Sequence, residues 1–331
     1  MSVPSQTLLT YTQIGRREDL SDLIDDISPT ERPFTSSIKQ GKATNTLHEW
    51  LMDKLVPAAA NRVLSGDDAT TDATSQPQRL HTFTQISDKV ASVAGSAQAS
   101  NLAGRDDEMG RAMARKIEEM MLDIEFMLTN RAGVANAALP SENAAGAAGS
   151  VRATAAYQTW MGPNTALRNG AGAAAAGIST TVAQPTDGAQ ITAGTARELT
   201  EDLLKQGLSL VWTQGGKVKN IQAGPINRQK ISGFTGNATR TIMADEKRLV
   251  ASIGVYVSDW GEHNVVPSRF QYEGDVLLID PEHWSLDWYR SVFSQDLAIT
   301  GDSRRKQVLG EYGLKASNPW ASGIIADLTL V

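Results

Sequence analysis

A chain of 331 residues with a formal net charge of −6 holds ample material for one large core or two modest ones, and it excludes a general basic field for gripping nucleic acid. Cysteine is absent, which excludes disulfides, thiolate metal sites and a cysteine nucleophile, and agrees with folding in a reducing cytosol. The opening residues lack the basic start and apolar centre of a signal peptide, and no apolar run approaches the ~18 residues of a membrane span.

Taken in order, the first fifteen residues are polar and read as an extended arm that orders only against a neighbour. A short amphipathic helix follows, with Leu20, Leu23, Ile24 and Ile27 on one face and Ser28-Pro29 as its stop. TLHEWLMDKL (Thr46–Leu55) and LHTFTQISDKVASV (Leu80–Val93) read as two strands, the first ambiguous with a helix by pattern alone. The polar, Gly- and Asp-rich stretch between them is a long tip. An isolated two-stranded ribbon is marginal in water, so this one is expected to lie on another subunit.

The strongest signal in the chain runs from Arg105 to Asn130. Met109, Met113, Ile117, Met120, Met121, Ile124, Met127 and Leu128 recur three or four residues apart and form one stripe of a long helix. Asp106, Asp107 and Glu108 suit its first turn and Gly133 its end. Methionine fills uneven gaps, so the stripe is expected to back onto a sheet. On the far side Asp107 with Arg111, and Arg115 with Glu119, have ion-pair spacing.

Residues Ala132 to Gly194 are dominated by Ala, Gly, Ser and Thr, with Trp160 as one of few anchors, and read as a surface excursion loosely packed on the body. Then TARELTEDLLKQGLSLVWTQGG carries a helix that starts at Thr195 or at Thr200, lines Leu203, Leu204, Leu208, Val211 and Trp212 on one side, and stops at Gly215-Gly216. KVKNIQAG follows as a strand and PINRQKISGF as a helix opened by proline. From about Arg248 short β-rich runs alternate with turns, and the last two runs, joined across Ser317-Asn318-Pro319, read as a strand, turn, strand closure. The fold class is therefore α+β.

Chemistry is sparse. The four histidines have no metal-ligand spacing, and neither a phosphate-cradling GxxxxGK[ST] nor a GxSxG nucleophile elbow is present. The best enzyme-like cluster is Asp259, Glu262 and His263, which read as a hydrolase would make an acid–base site and read plainly make a hydrogen-bonded turn. Catalytic, cofactor and metal sites are all expected to be none. Small basic clusters such as Arg304-Arg305-Lys306 read as solvated or salt-linked surface.

The order of parts resembles the major capsid proteins of tailed bacteriophages, with the Hong Kong 97 capsid fold, and more narrowly a phage major head protein family. DLIDDISPTERPF (Asp22–Phe34), HEWLMDKL (His48–Leu55), QISDKVASVAGSAQAS (Gln85–Ser100) and LTEDLLKQGLSLVWTQGGKVKNIQAGPINRQKISGF (Leu199–Phe234) carry the resemblance. The Ala/Gly-rich stretch is the chief departure. The resemblance implies an N-terminal arm over residues 1–45 and an extended loop over 46–95 that lies on an adjacent subunit. It implies a peripheral domain over 96–134 with a spine helix at 105–130, an axial domain over 135–285, and a return to the peripheral domain over 286–331. It further implies hexamers and pentamers closing around double-stranded DNA without sequence-specific binding, in a virion assembled in the host cytoplasm. Scaffolding, portal and decoration proteins are the implied partners, with no membrane. No long N-terminal scaffolding segment and no covalent cross-links are expected. An encapsulin-like cargo shell is the alternative on the same fold.

Overall fold

The computed structural model describes residues 29–56, 58–66, 68, 76–99, 107–130, 143–169, 182–184, 194–234 and 254–329. Outside them lie the residues 1–28 with the helix read around Leu20–Ile27, the Gly133 stop, and most of the Ala/Gly-rich stretch.

In chain order the elements are α1 (Pro33–Ser37), β1 (Lys39–Lys42), β2 (Leu47–Met52), β3 (Gln78–Phe83), β4 (Gln85–Ala94), α2 (Gly95–Ala99), α3 (Glu108–Thr129) and α4 (Tyr157–Met161). Then come β5 (Ala166–Leu167), α5 (Glu201–Thr213), β6 (Asn220–Ala223), α6 (Pro225–Ser232), β7 (Val255–Ser258), β8 (Gly261–Pro267), β9 (Val276–Ile279), β10 (Trp284–Asp296), β11 (Ser303–Ala316) and β12 (Gly323–Ile325). They build a four-stranded sheet in the order β1-β10-β11-β4, a six-stranded sheet β5-β12-β9-β6-β8-β7, and the ribbon β2-β3.

The long helix forms as its stripe demands. Asp107 is the N-cap, its carboxylate accepting from the Met109 N–H at 3.1 Å, and Asn130 ends the helix in extended backbone. Met109, Met113 and Met120 pack on Ala91, Val93 and Val308 of β4 and β11, while Ile124 and Leu128 reach the central core. Ile117 stays partly exposed and the far-side pairs differ from expectation. Arg111 pairs with Glu108 at 3.3 Å while Asp107 is engaged at the cap and by the Gln98 amide, and Lys116 pairs with Glu119 at 2.6 Å.

The central core joins the sheets through Phe34, Tyr157, Trp160, Trp284, Tyr312 and Trp320. Tyr157 stacks at 4.7 Å on Trp284 and meets Phe34 edge-on at 5.6 Å. Its hydroxyl lies 2.9 and 2.8 Å from the Leu278 and Gly323 carbonyl oxygens, which ties α4 to β9 and β12. Thus residues 153–161 of the Ala/Gly-rich stretch are core material, not a loose excursion, whereas 147–151 are exposed: small side chains such as Ala153, Ala155 and Ala156 let the buried part lie close against both sheets.

Helix α5 starts at the second of its two candidate caps, Thr200, whose hydroxyl accepts from the Leu203 N–H at 3.2 Å. Leu203, Leu204, Leu208 and Val211 bury against the six-stranded sheet, and Gly207 permits the approach, since a Cβ there would stand 3.0 Å from Ile325 and Leu278. Trp212 is turned outward instead of inward, and Gly215 supplies the left-handed stop at φ 93°. The run Leu80–Val93 is two strands broken at Thr84, with β3 pairing β2 and β4 pairing β11. The closing pair β11 and β12 belongs to different sheets, separated by a turn of 3-10 helix at Pro319–Ala321.

Candidate assembly surface

The ribbon shows strict alternation. Trp50 and Leu80, cross-strand partners, face inward, and Leu51 and Arg79 face outward. Leu80 is 0% exposed and Trp50 lies 5.6 Å from Trp160. The base of the ribbon therefore buries itself within its own subunit, contrary to the expectation that it could not; α4 supplies the partner that the sequence pattern did not reveal. His48 Nε2 stands 2.8 Å from Asp287 Oδ2 and connects the ribbon to β10. Burial pushes the Asp287 carboxyl up, but the contacts from His48 and Ser285 outweigh it and hold the group below the usual carboxylate range.

The second edge of β3 is closed by amide side chains instead of a strand. Gln184 takes the His81 N–H at 2.9 Å and donates to its carbonyl at 2.8 Å, and Asn143 takes the Phe83 N–H at 2.9 Å. Gln78 and Asn164 grip the backbones of Val182 and Ala183 in the same reciprocal way. An open edge is a template for wrong pairing, and this arrangement removes it. Where the stretch ends, the Asp327 carboxylate accepts from the Asn169 and Gly194 N–H groups at 3.1 and 2.8 Å, bringing those residues together.

Beyond the base, the tip changes character. Lys54 holds its stem, with Nζ 3.9 Å over the Trp320 ring and 2.8 Å from Gln214 Oε1, and burial lowers its pKa. Further out Leu55, Val56, Val63 and Leu64 are exposed, Leu55 at 89% and Leu64 at 79%. Apolar side chains in such numbers on one projecting segment mark a surface to be covered. The outer face of the four-stranded sheet carries Ile86, Val90 and Phe293, also exposed.

Glu125 was not singled out by sequence reading. Fully buried on α3, its carboxylate accepts from the Phe34 and Thr35 N–H groups at 2.9 and 2.8 Å and docks α1 on the long helix. Burial pushes its pKa up, against the opposing pull of those hydrogen bonds. Its position, four residues after Met121 and three before Leu128, places it inside the apolar stripe, and that was the available signal.

The enzyme-like cluster is not assembled. His263 is 2% exposed, with Nδ1 donating to the Val218 carbonyl at 2.8 Å and Nε2 accepting from the Ser258 hydroxyl at 2.7 Å. Burial holds its pKa below the ordinary value, so the ring is neutral and ties β8 to the end of β7. Asp259 is exposed on the turn between those strands, and Glu262, one residue before His263 on β8, faces solvent on the opposite side of the strand. No base, acid and orienting group converge here. Among the described residues no three His, Asp or Glu side chains form a metal-binding group, and no helix is long and apolar enough to cross a membrane.

Residues 3–329 match the sequence model of the SU10 major capsid protein family. The chain belongs to that family. A major capsid protein of Escherichia phage Phieco32 is 21% identical over 344 residues, covering 96% of each chain. Among solved structures, the Cyanophage A-1(L) capsid asymmetric unit superposes with a TM-score of 0.65 at 13% identity, over 97% of this chain and 98% of that one. The capsid of a native GTA particle superposes at 0.61 with 11% identity, over 97% and 98%. At such identities the likeness is one of fold, and it is the Hong Kong 97-like capsid fold. As an SU10 major capsid protein, the chain is a structural component of a phage virion, and the surfaces that matter are those that meet other subunits.

Proposed function

We propose that the chain closes into hexamers and pentamers that form the icosahedral head around the double-stranded DNA of a tailed phage. The observation that carries this is the contrast within one segment: a ribbon base buried in its own core and a tip whose Leu55, Val56, Val63 and Leu64 are exposed. In this reading the loop of residues 46–95 lies over a neighbour. Residues 1–45 act as an arm, 96–134 and 286–331 as the peripheral domain with α3 as its spine, and 135–285 as the axial domain. A formal charge of −6 suits a container whose lining must release the genome. Assembly takes place in the host cytoplasm with scaffolding and portal proteins. A decoration protein like the one that accompanies the major capsid proteins in the phage G structure would complete the outside. No catalytic step is assigned to the chain.

Electron microscopy of the chain expressed alone, beside its mass by light scattering, tests the reading. Shells, sheets or capsomer rings are expected. A monodisperse monomer at every concentration, with or without co-expressed scaffolding protein, would overturn it.

A further inference from the structure

Strands β6 and β8 run parallel, and at the level of Ala223 the sheet reads Pro267, Ala223, Val276 across β8, β6 and β9. Just past that level Gly224 opens α6, Ser268 leaves β8 with its N–H donating to the Ala223 carbonyl at 2.9 Å, and residues 271–275 lead into β9. Polar side chains gather in the interior at this end of the sheet. Asn227 is 0% exposed, Ser268 1% and Gln271 5%.

The two carboxamides are oriented by backbone carbonyls, which only accept. Gln271 Nε2 donates to the Asp275 and Gln222 carbonyls at 2.7 and 3.3 Å, and Asn227 Nδ2 donates to the Glu273 carbonyl. Turning either amide over would set oxygen against oxygen, so Gln271 Oε1 and Asn227 Oδ1 are the ends that face away. Both oxygens are buried, and among the described residues nothing donates to them. Glu273 joins them. Its carboxylate lies against Gly224, where a Cβ would stand 2.5–2.7 Å away; Oε1 is 3.5 Å from the Ile226 nitrogen, and Oε2 is buried without a donor. Burial pushes the Glu273 carboxyl up, against the pull of the Ile226 and Asn227 N–H groups. Ser268 Oγ, likewise buried and unpartnered, is a fourth oxygen at the same end.

Buried oxygens without donors in a folded protein call for water or an ion. Water satisfies the amides but leaves the carboxylate charge unneutralised, and among the described residues no Lys, Arg or His pairs with Glu273. One carboxylate with amide and hydroxyl oxygens is the donor set of a hard cation, and Ca2+ accepts roughly six to eight such oxygens, water included, in irregular geometry. We propose that Asn227, Gln271 and Glu273 hold a calcium ion between the start of α6 and the turn into β9, with Ser268 and water completing its shell. The ligands come from two separate turns, so the ion ties α6 to the sheet. Glu273 is only half-buried, which leaves a way in. The spacing of acidic residues and histidines gave no sign of the site, because two of its three principal ligands are amides.

Calcium binding to the unassembled subunit tests this independently of shell formation. Protein stripped with a chelator is titrated with CaCl2 by calorimetry, and its thermal unfolding is followed with and without the ion. Wild type is expected to take up a single ion per chain and to unfold at higher temperature once it is bound. Glu273→Gln removes the charge at constant size, and its new amide can donate to a neighbouring oxygen. It should unfold in chelator no earlier than wild type and bind at least about tenfold more weakly. Glu273→Asp keeps the charge with a shorter reach and should fall between the two. Asp259→Asn, on the exposed turn between β7 and β8, should bind as wild type does. Wild-type protein that takes up no Ca2+ overturns the proposal and assigns the pocket to water. Binding by Glu273→Gln equal to wild type, or an equal loss in Asp259→Asn, overturns it too, since surface carboxylates then hold the ion.

Discussion

At the base of the β2–β3 ribbon, Met52, Leu80 and the inner face of Trp50 pack on the central core; at its tip, Leu55, Val56, Val63 and Leu64 are exposed. Both ends of the segment are rich in large apolar residues, so hydropathy does not separate them. What separates them is the supply of partners. Trp160 of α4 and the Val182–Gln184 clasp converge on the base, and the tip has projected beyond them. Stability of the subunit should therefore reside in the base and association in the tip.

The largest effect should come from Trp160→Ala, which removes a fully buried ring beneath the ribbon and is expected to cost about 3–5 kcal/mol in denaturant unfolding of the unassembled subunit. A loss no greater than that of a surface change would break the division between base and tip.

Glu125→Ala should come next, at about 1–3 kcal/mol, because the Phe34 and Thr35 N–H groups lose their acceptor in a buried site. The pH dependence has a definite sign. With its folded pKa raised, Glu125 favours the folded state most when protonated, so its contribution falls as pH rises from the ordinary carboxyl value through the raised one. Glu125→Gln should flatten that slope in unfolding free energies measured across mildly acidic pH, and an unchanged slope would assign it to other groups.

His263 acts in the opposite direction. Its folded pKa is depressed, so its contribution is complete above the ordinary value of about 6.5 and is lost as pH falls from there through the lowered value. His263→Gln should diminish the loss of stability on acidification through that window, as followed by thermal unfolding.

The smallest effects on the unassembled subunit should lie outward on the ribbon. Arg79→Ala breaks the pair with Glu49, which is largely exposed, and should change unfolding by about 0–1 kcal/mol. Leu64→Ser should leave unfolding within about 0.5 kcal/mol of wild type while reducing assembly seen by light scattering. Destabilisation of the monomer by Leu64→Ser comparable to that of Trp160→Ala would erase the contrast between the two ends.

Much of the architecture was legible in short-range signals. The methionine stripe and the acidic start located α3, Thr200 and Gly215 bounded α5, and Pro225 opened α6. Strand runs in the last third fell where β-branched residues cluster between turns. The break at Thr84 was hidden because both halves of the run have the same period, and only the exchange of partners from β2 to β11 reveals it. The Asp259, Glu262 and His263 cluster forms the hydrogen-bonded turn of its plain reading, because adjacent positions on a strand such as Glu262 and His263 place their side chains on opposite faces.

Local signals were enough for the α+β class, the principal helices and the order of parts that resembles a capsid subunit, because caps, periodicity and turn residues act over a few positions. Long-range packing was needed to show that residues 153–161 of the Ala-rich stretch are core, that Glu125 receives α1 from ninety positions away, that Gln184 closes the edge of β3, and which apolar side chains remain uncovered. Those outcomes depend on groups far apart in the chain competing for the same surface, and the chain's packing selects the winners.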